Sequence, residues 1–171
     1  MQVPLAFVFV TLLITPTLAD PRDTDVVRVG PWAIATTYKG DKFDNCTMSR
    51  SGESVGSMFV RNQDGLMLRL DSPTWKLERG KVYSVRLVAG SQSVEAKALA
   101  ETKDVTVALA DRSFDGRLRT ANVLEVRGDG ATLRVPLDGS AAAFERLEAC
   151  FNKNERTSAE TNPFVAPSKK P

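Results

Sequence analysis

The chain reads as a mainly β, single-domain protein whose strands form an antiparallel meander or sandwich, closed by one carboxy-terminal helix. Three observations predict this. Apolar and polar residues alternate over most of the chain, turn residues recur between the alternating runs, and helical spacing appears only late. The alternation has a period of two because successive side chains leave a pleated strand on opposite faces.

Leu66, Leu68 and Leu70 alternate with Met67, Arg69 and Asp71, and Tyr83, Val85, Leu87 and Ala89 alternate with Ser84, Arg86 and Val88. Val94, Ala96, Ala98 and Ala100 set against Glu95 and Lys97 continue the pattern, as do Val105, Val107 and Leu109 set against Thr106, Ala108 and Ala110. Glu78-Arg79-Gly80-Lys81, Ala89-Gly90-Ser91 and Thr102-Lys103-Asp104 supply the turns between them. Earlier strands are expected over 26–29, 32–38, 46–50 and 55–61. Leu124-Glu125-Val126-Arg127 and Thr132-Leu133-Arg134-Val135 flank Gly128-Asp129-Gly130-Ala131 and predict a hairpin. Asp129-Gly130 suits the two positive-φ positions of a type I′ turn, and Pro136 places the returning strand at an edge or at its end.

Helical spacing appears where Ser140 precedes AAAFERLEACF, with Phe144, Leu147 and Phe151 on one stripe. This predicts a helix over 141–151 with Ser140 as its cap, packing on the sheet and presenting Cys150 toward the strand that carries Cys46. A shorter helical turn over 113–120 would point Phe114 and Leu118 inward. From 153 to 171 the chain is polar, bears proline and has no period, so a disordered tail is expected there. The folded domain is accordingly assigned to 20–152.

A length of 171 residues suits one domain with a sizeable core. The 23 Lys and Arg nearly cancel the 21 Asp and Glu, so neither an acidic tail nor a basic nucleic-acid surface stands out. Nucleic acid is not an expected partner. The chain contains no histidine, which excludes Ser-His and Cys-His nucleophiles, His-based acid and base chemistry, and imidazole-built zinc or haem sites.

Residues 5–14, LAFVFVTLLI, form an apolar run of ten, too short for the roughly 20 residues of a membrane span and of the length found in a secretory signal. Thr17 and Ala19 are small enough for the signal-peptidase subsites, so residues 1–19 are read as a signal peptide with cleavage before Asp20. The segment ahead of the run carries no Lys or Arg, which is atypical of such a signal. No membrane span is expected in the mature chain, which is assigned to the periplasm or the exterior.

Cys46 and Cys150 are the two cysteines of the sequence. Export to an oxidising compartment makes one structural disulfide the economical reading; two buried free thiols, or a redox or metal pair, are the alternatives. The close C-x-x-C spacing of a redox pair is absent.

The chemical motifs with recognisable spacing are also missing: no G-x-S-x-G elbow, Walker A loop, G-x-G-x-x-G fingerprint or EF-hand pattern occurs. Asp41 with Asp44, and Asp111 with Asp115, are close carboxylate pairs of the kind an acid and a base could use, but loop aspartates more often cap helices or close turns. Arg112, Arg117, Arg119, Arg127 and Arg134 cluster in sequence, interleaved with Asp111, Asp115, Glu125 and Asp129. A solvated face explains them better than an anion-binding patch. Trp32 and Trp75 read as core or rim aromatics rather than a sugar platform. Asn45-Cys46-Thr47 matches a glycosylation sequon, used only in a eukaryotic secretory pathway. No catalytic residue, metal ligand or cofactor site is assigned.

The runs 118–126, LRTANVLEV, and 133–150, LRVPLDGSAAAFERLEAC, together with an early Trp32 ahead of Cys46, resemble the invasion-associated locus B family of exported alphaproteobacterial proteins. The resemblance spans about residues 30 to 152. The family usually has more cysteines, and a glycine where this chain has Ala121. What the resemblance implies is an immunoglobulin-like β-sandwich, export, and no catalytic residues to carry over. The expectation is an exported, non-catalytic module that binds a protein or an envelope component, as in host interaction. The alternative is a periplasmic enzyme or enzyme inhibitor, such as a carboxylate-based glycosidase or a lysozyme-inhibitor-like module.

Overall fold

The computed structural model of the chain describes residues 26–160, with side chains through 156. The expected signal peptide and residues 161–171 lie outside the described residues. Within them the elements run β1 (Val27–Val29), β2 (Trp32–Lys39), β3 (Lys42–Arg50), β4 (Gly56–Asn62), β5 (Gly65–Asp71), β6 (Val82–Ala89), β7 (Gln92–Ala100), β8 (Asp104–Leu109), α1 (Arg112–Thr120), β9 (Val123–Arg127), β10 (Thr132–Pro136) and α2 (Ser140–Glu160). The protein is mainly β, and every strand pairing is antiparallel. The ten strands hydrogen-bond into one continuous sheet in the order β1-β2-β3-β4-β5-β8-β7-β6-β9-β10. Any two layers of a sandwich here are therefore halves of a single sheet.

Consecutive strands are neighbours except at β5–β6 and β8–β9, where β5 pairs with β8 and β6 with β9 instead. The connection from β5 to β6 runs past the β7–β8 turn and is tied to it by backbone bonds from Ser72 to Lys103, from Leu77 to Thr102 and from Gly80 to Ala100, at 3.0, 2.9 and 2.8 Å. That crossover satisfies its own polar groups, as a chain lying across a sheet end must.

The period of two sorts the side chains onto two faces. Trp32, Ile34, Cys46, Met48, Phe59, Leu68, Leu70, Leu87, Val107 and Leu124 are buried on the inner face, and all belong to one core. The helices cover this face: α2 packs on β1 to β4, and α1 packs on β6, β7 and β8 and against α2. Phe114 and Leu118 of α1 point into the core as their spacing predicts, as do Phe144, Leu147 and Phe151 of α2.

Several local expectations are corrected. The β9–β10 hairpin forms, with Thr132 opposite Arg127, but not through a type I′ turn. Neither Asp129 nor Gly130 takes a positive φ, and Gly128 N–H donates to the Ala131 carbonyl at 2.9 Å across a four-residue loop. Pairing Arg127 with Thr132 leaves four residues to connect, and these do not need the left-handed conformation that a two-residue turn imposes. Ser140 is the first residue of α2, and its hydroxyl donates to the Leu118 carbonyl at 2.8 Å, joining the start of α2 to the end of α1. The α2 start is built instead on Gly139, whose carbonyl accepts from Ala143 N–H. Gly139 stands at φ +70, and a Cβ there would press within 3.3 Å of Pro31. The positive φ favours glycine, and the close approach to Pro31 leaves little room for a larger residue.

Helix α2 also runs to Glu160, past the end expected at Phe151, so the assignment of a disordered tail from 153 is corrected over 153–160. No Gly or Pro interrupts 152–160, and extending a helix already anchored by packing costs much less than starting one.

Candidate functional site

The row of cross-strand partners Thr36, Cys46, Arg61, Leu66 and Leu109 runs over the inner face of β2, β3, β4, β5 and β8. Its middle member is charged, because the parity that buries Ser57 and Phe59 on β4 also turns Arg61 inward. Cys46 and Cys150 lie at disulfide-bonding distance with Cα atoms 6.2 Å apart, holding the middle of α2 over this row. Thr36 Oγ1 lies 3.3 Å from Cys150 Sγ.

Holding α2 there places Glu148, two residues before Cys150, against Arg61 at 3.4 Å. The Arg61 guanidinium also lies over the Phe151 ring, 5.0 Å from its centroid. Where the row ends, Arg61, Leu66, Leu109, Arg112, Asp115 and Glu148 line an open cleft of about 540 Å³, with the β4–β5 turn at its rim. That turn is closed by Asn62, whose Oδ1 accepts from the N–H groups of Asp64 and Gly65 at 3.0 and 3.1 Å. An asparagine before a two-residue connection makes such a turn because its amide oxygen satisfies the free backbone donors.

Asp115 is half-buried on α1, and its Oδ1 is buried with no hydrogen-bond partner among the described residues. Burial raises its pKa above the ordinary carboxylate value; Arg119 and Arg61 oppose the rise, while Glu148 and Asp111 add to it. Both arginines are otherwise engaged, Arg61 as described and Arg119 over the Phe144 ring at 5.1 Å.

The other carboxylates proposed from sequence do not converge on this cleft. Asp111 is the N-cap of α1, accepting from Ser113 N–H at 2.8 Å and Ser113 Oγ at 2.7 Å, and the bonds from Ser113 hold its pKa low. Asp44 sits near the β2–β3 turn, 2.9 Å from Lys39 Nζ, and accepts from Asn45 Nδ2 at 2.7 Å. Asp41 lies in that same turn.

Of the arginine cluster, Arg127 and Arg134 both grip Glu125, at 2.6 and 2.7 Å, and hold its carboxyl below the usual range. This is the solvated strand face that their interleaving with acids implies. Trp32 is fully buried and donates from Nε1 to the Asp138 carbonyl at 2.9 Å; Trp75 packs at the margin of the core.

The sequence reading missed Arg61, Glu148, Gln63 and Asp64 at the cleft. A signal for Arg61 was present, a charge at inward parity after Ser57 and Phe59. For Glu148 there was none, since its place follows from how α2 is docked. Among the described residues no group of three or more His, Cys, Asp or Glu is placed to hold a metal ion, and no helix is long and apolar enough to cross a membrane. No family model, characterised protein or solved structure matches the chain.

Proposed function

We propose that the protein is exported to the periplasm or beyond and acts there, without catalysis, by binding a protein or an envelope component. The observation that carries this reading is the dispersal of the candidate acids: Asp111 caps α1 and Asp44 is held by Lys39 and Asn45, so neither sequence pair forms a converging acid and base. The cystine-length approach of Cys46 and Cys150 supports an oxidising compartment. The resemblance of the carboxy-terminal run to the invasion-associated locus B family supports export and suggests interaction with a host as its setting.

One observation favours a second reading, a carboxylate-based periplasmic glycosidase or a lysozyme-inhibitor-like module. Asp115 and Glu148 share a cleft, and burial moves the Asp115 pKa upward, the direction a general acid requires. The two readings separate in a complementation assay of a gene deletion with Asp41→Asn, Asp44→Asn, Asp111→Asn and Asp115→Asn, each checked for folding and export. Binding energy is shared among several contacts, so every variant should restore function at least in part. Complete loss in Asp115→Asn alone, with the protein folded and exported, points to the enzyme.

A further inference from the structure

The outer face of the sheet divides into two halves of different chemistry. Over β6, β7, β9 and β10 it is charged, with Arg86 paired to Glu95, and Arg127 and Arg134 both paired to Glu125. Over β2, β3, β4, β5 and β8 its central row of cross-strand partners is Ala35, Thr47, Val60, Met67 and Ala108, without a charge. Ala33, Ser49 and Met58 extend that uncharged surface on one side. Both helices lie on the opposite face of the sheet, and no residue of the row is fully buried.

Two like-charged pairs border the row. Lys39 and Lys42 are cross-strand partners on β2 and β3, four residues beyond Ala35, and Asp71 and Asp104 are cross-strand partners on β5 and β8, four residues beyond Met67. Tyr38 reaches Asn154 and Phe43 reaches Phe151, both on α2, so the lysines next to them fall on the outer face. The Asp71 carboxylate lies across β4 at Gly56, where a Cβ would come within 2.7 Å of Oδ1. Because β2 and β5 run in opposite directions, lysines and aspartates stand at opposite ends of the face. Like charges directly opposite each other on a sheet are unfavourable. Lys39 binds Asp44 and Asp104 binds Arg69, each pair at 2.9 Å, whereas Lys42 and Asp71 are exposed and have no ion-pair partner among the described residues.

We propose that this face binds a second copy of the chain, the two sheets stacked about a two-fold axis that passes near Val60. Val60 belongs to the middle strand of the five, so the axis exchanges β2 with β8 and β3 with β5. Each lysine rim then meets the aspartate rim of the other copy, Lys42 facing Asp71 and Lys39 facing Asp104, twice by symmetry. The uncharged rows meet between them. Stacked sheets cross at about 30°, which displaces each rim by roughly 7 Å, a span that a lysine side chain covers. An isologous interface requires a patch to complement itself, and opposite charges occupy the positions that the axis exchanges. That self-complementarity selects a second copy over an unrelated protein. Five strands about 4.8 Å apart and eight residues of about 3.3 Å give a footprint of roughly 600 Å² per copy, of the order of the ~800 Å² per partner of a standard interface. The inference goes beyond the proposed binding activity and does not depend on it.

Analytical ultracentrifugation of the purified protein up to about 500 μM tests this, because a dimer's population depends on concentration. A concentration-dependent dimer is expected. Val60→Lys, which sets two like charges at the axis, should leave a monomer with an unchanged circular dichroism spectrum. Lys42→Glu and Asp71→Lys should each weaken dimerisation at least tenfold. An equimolar mixture of these two variants should recover the wild-type affinity, because each copy then meets its complement at both rims. Asp129→Lys, in the β9–β10 loop, changes the net charge as Asp71→Lys does and should leave association unchanged. A monomer at every concentration, a dimer that persists in a folded Val60→Lys variant, or a mixture that associates no better than its parts would overturn the proposal. If Val60→Lys does not fold, the charge-exchange mixture decides alone.

Discussion

Strands β1 to β4 and strands β6 to β8 each carry a helix on the inner face, and the two halves meet their helix with side chains of different size. Under α2 the sheet presents Trp32, Ile34, Met48 and Phe59, and the helix answers with Phe144 and Phe151. Ring centroids lie 6.0 Å apart between Trp32 and Phe59, 4.9 Å between Phe59 and Phe144, and 5.9 Å between Phe43 and Phe151. Under α1 the sheet presents Ala89, Ala98 and Ala100 beside Val85, Leu87 and Val107, and the helix brings Phe114 and Leu118. Aromatic pairs in the first half fill the space between layers; in the second, small side chains make room for the two large ones on α1.

The close approach of the two cysteines also belongs to the first half alone. Cys46 and Cys150, 104 residues apart in sequence, bring β3 within disulfide-bonding distance of the last helix. Helix α1 is held by its Asp111 cap, its two buried side chains and the bond from Ser140 to Leu118. The comparison teaches that α2 is seated by aromatic packing and a long-range cysteine pair at disulfide distance, whereas α1 depends on local capping and close fit.

Removing the cross-link should therefore have the largest effect. A Cys46→Ala/Cys150→Ala variant is expected to lose about 4 to 5 kcal/mol, the loop-closure value for a separation of this size, in urea denaturation. A loss below about 1 kcal/mol would show that aromatic packing alone seats α2.

The small-residue half is tested by Ala98→Leu. The added methylenes have no space under α1, and a loss of about 1 to 3 kcal/mol is expected from the same measurement. Tolerance without loss would mean that α1 is free to lift from β7, and the contrast between the halves would fail.

The smallest effect is expected at Asp115, beside the cleft between the two helices. Its pKa is raised in the folded protein, chiefly by burial, so the native state binds the proton more tightly than the unfolded chain does. Stability then falls as pH rises from the ordinary value near 3.8 through the raised one, and the penalty is complete above both. Asp115→Asn removes that penalty. The variant should be slightly more stable than the wild type at neutral pH and equal to it at pH 3, by thermal melting at each pH. Lower stability at neutral pH would show that Arg61 and Arg119 outweigh burial at this carboxylate.

The amino-acid sequence by itself determined the alternation of faces. Leu66, Leu68 and Leu70 must share a face whatever they pair with, because the pleat sends every second side chain the same way. It also determined both helix stripes, Phe114 with Leu118 and Phe144 with Leu147 and Phe151, and it made the approach of Cys46 to Cys150 the economical pairing. Local signals were weaker where competing bonds exist. Ser140 has the chemistry of a cap, yet its hydroxyl serves the Leu118 carbonyl 22 positions away. Asp129-Gly130 has the chemistry of a type I′ turn, yet the register of β9 and β10 leaves four residues to close the loop.

Only the tertiary structure decided that β5 pairs with β8, that ten strands join in one sheet, and that Arg61, Asp115 and Glu148 line one cleft. These three residues are separated by 54 and 33 positions and belong to β4, α1 and α2. A side chain's face follows from a local period, but its neighbours follow from strand register and helix docking. Those are set by long-range burial and hydrogen bonding, for which no local pattern is a proxy.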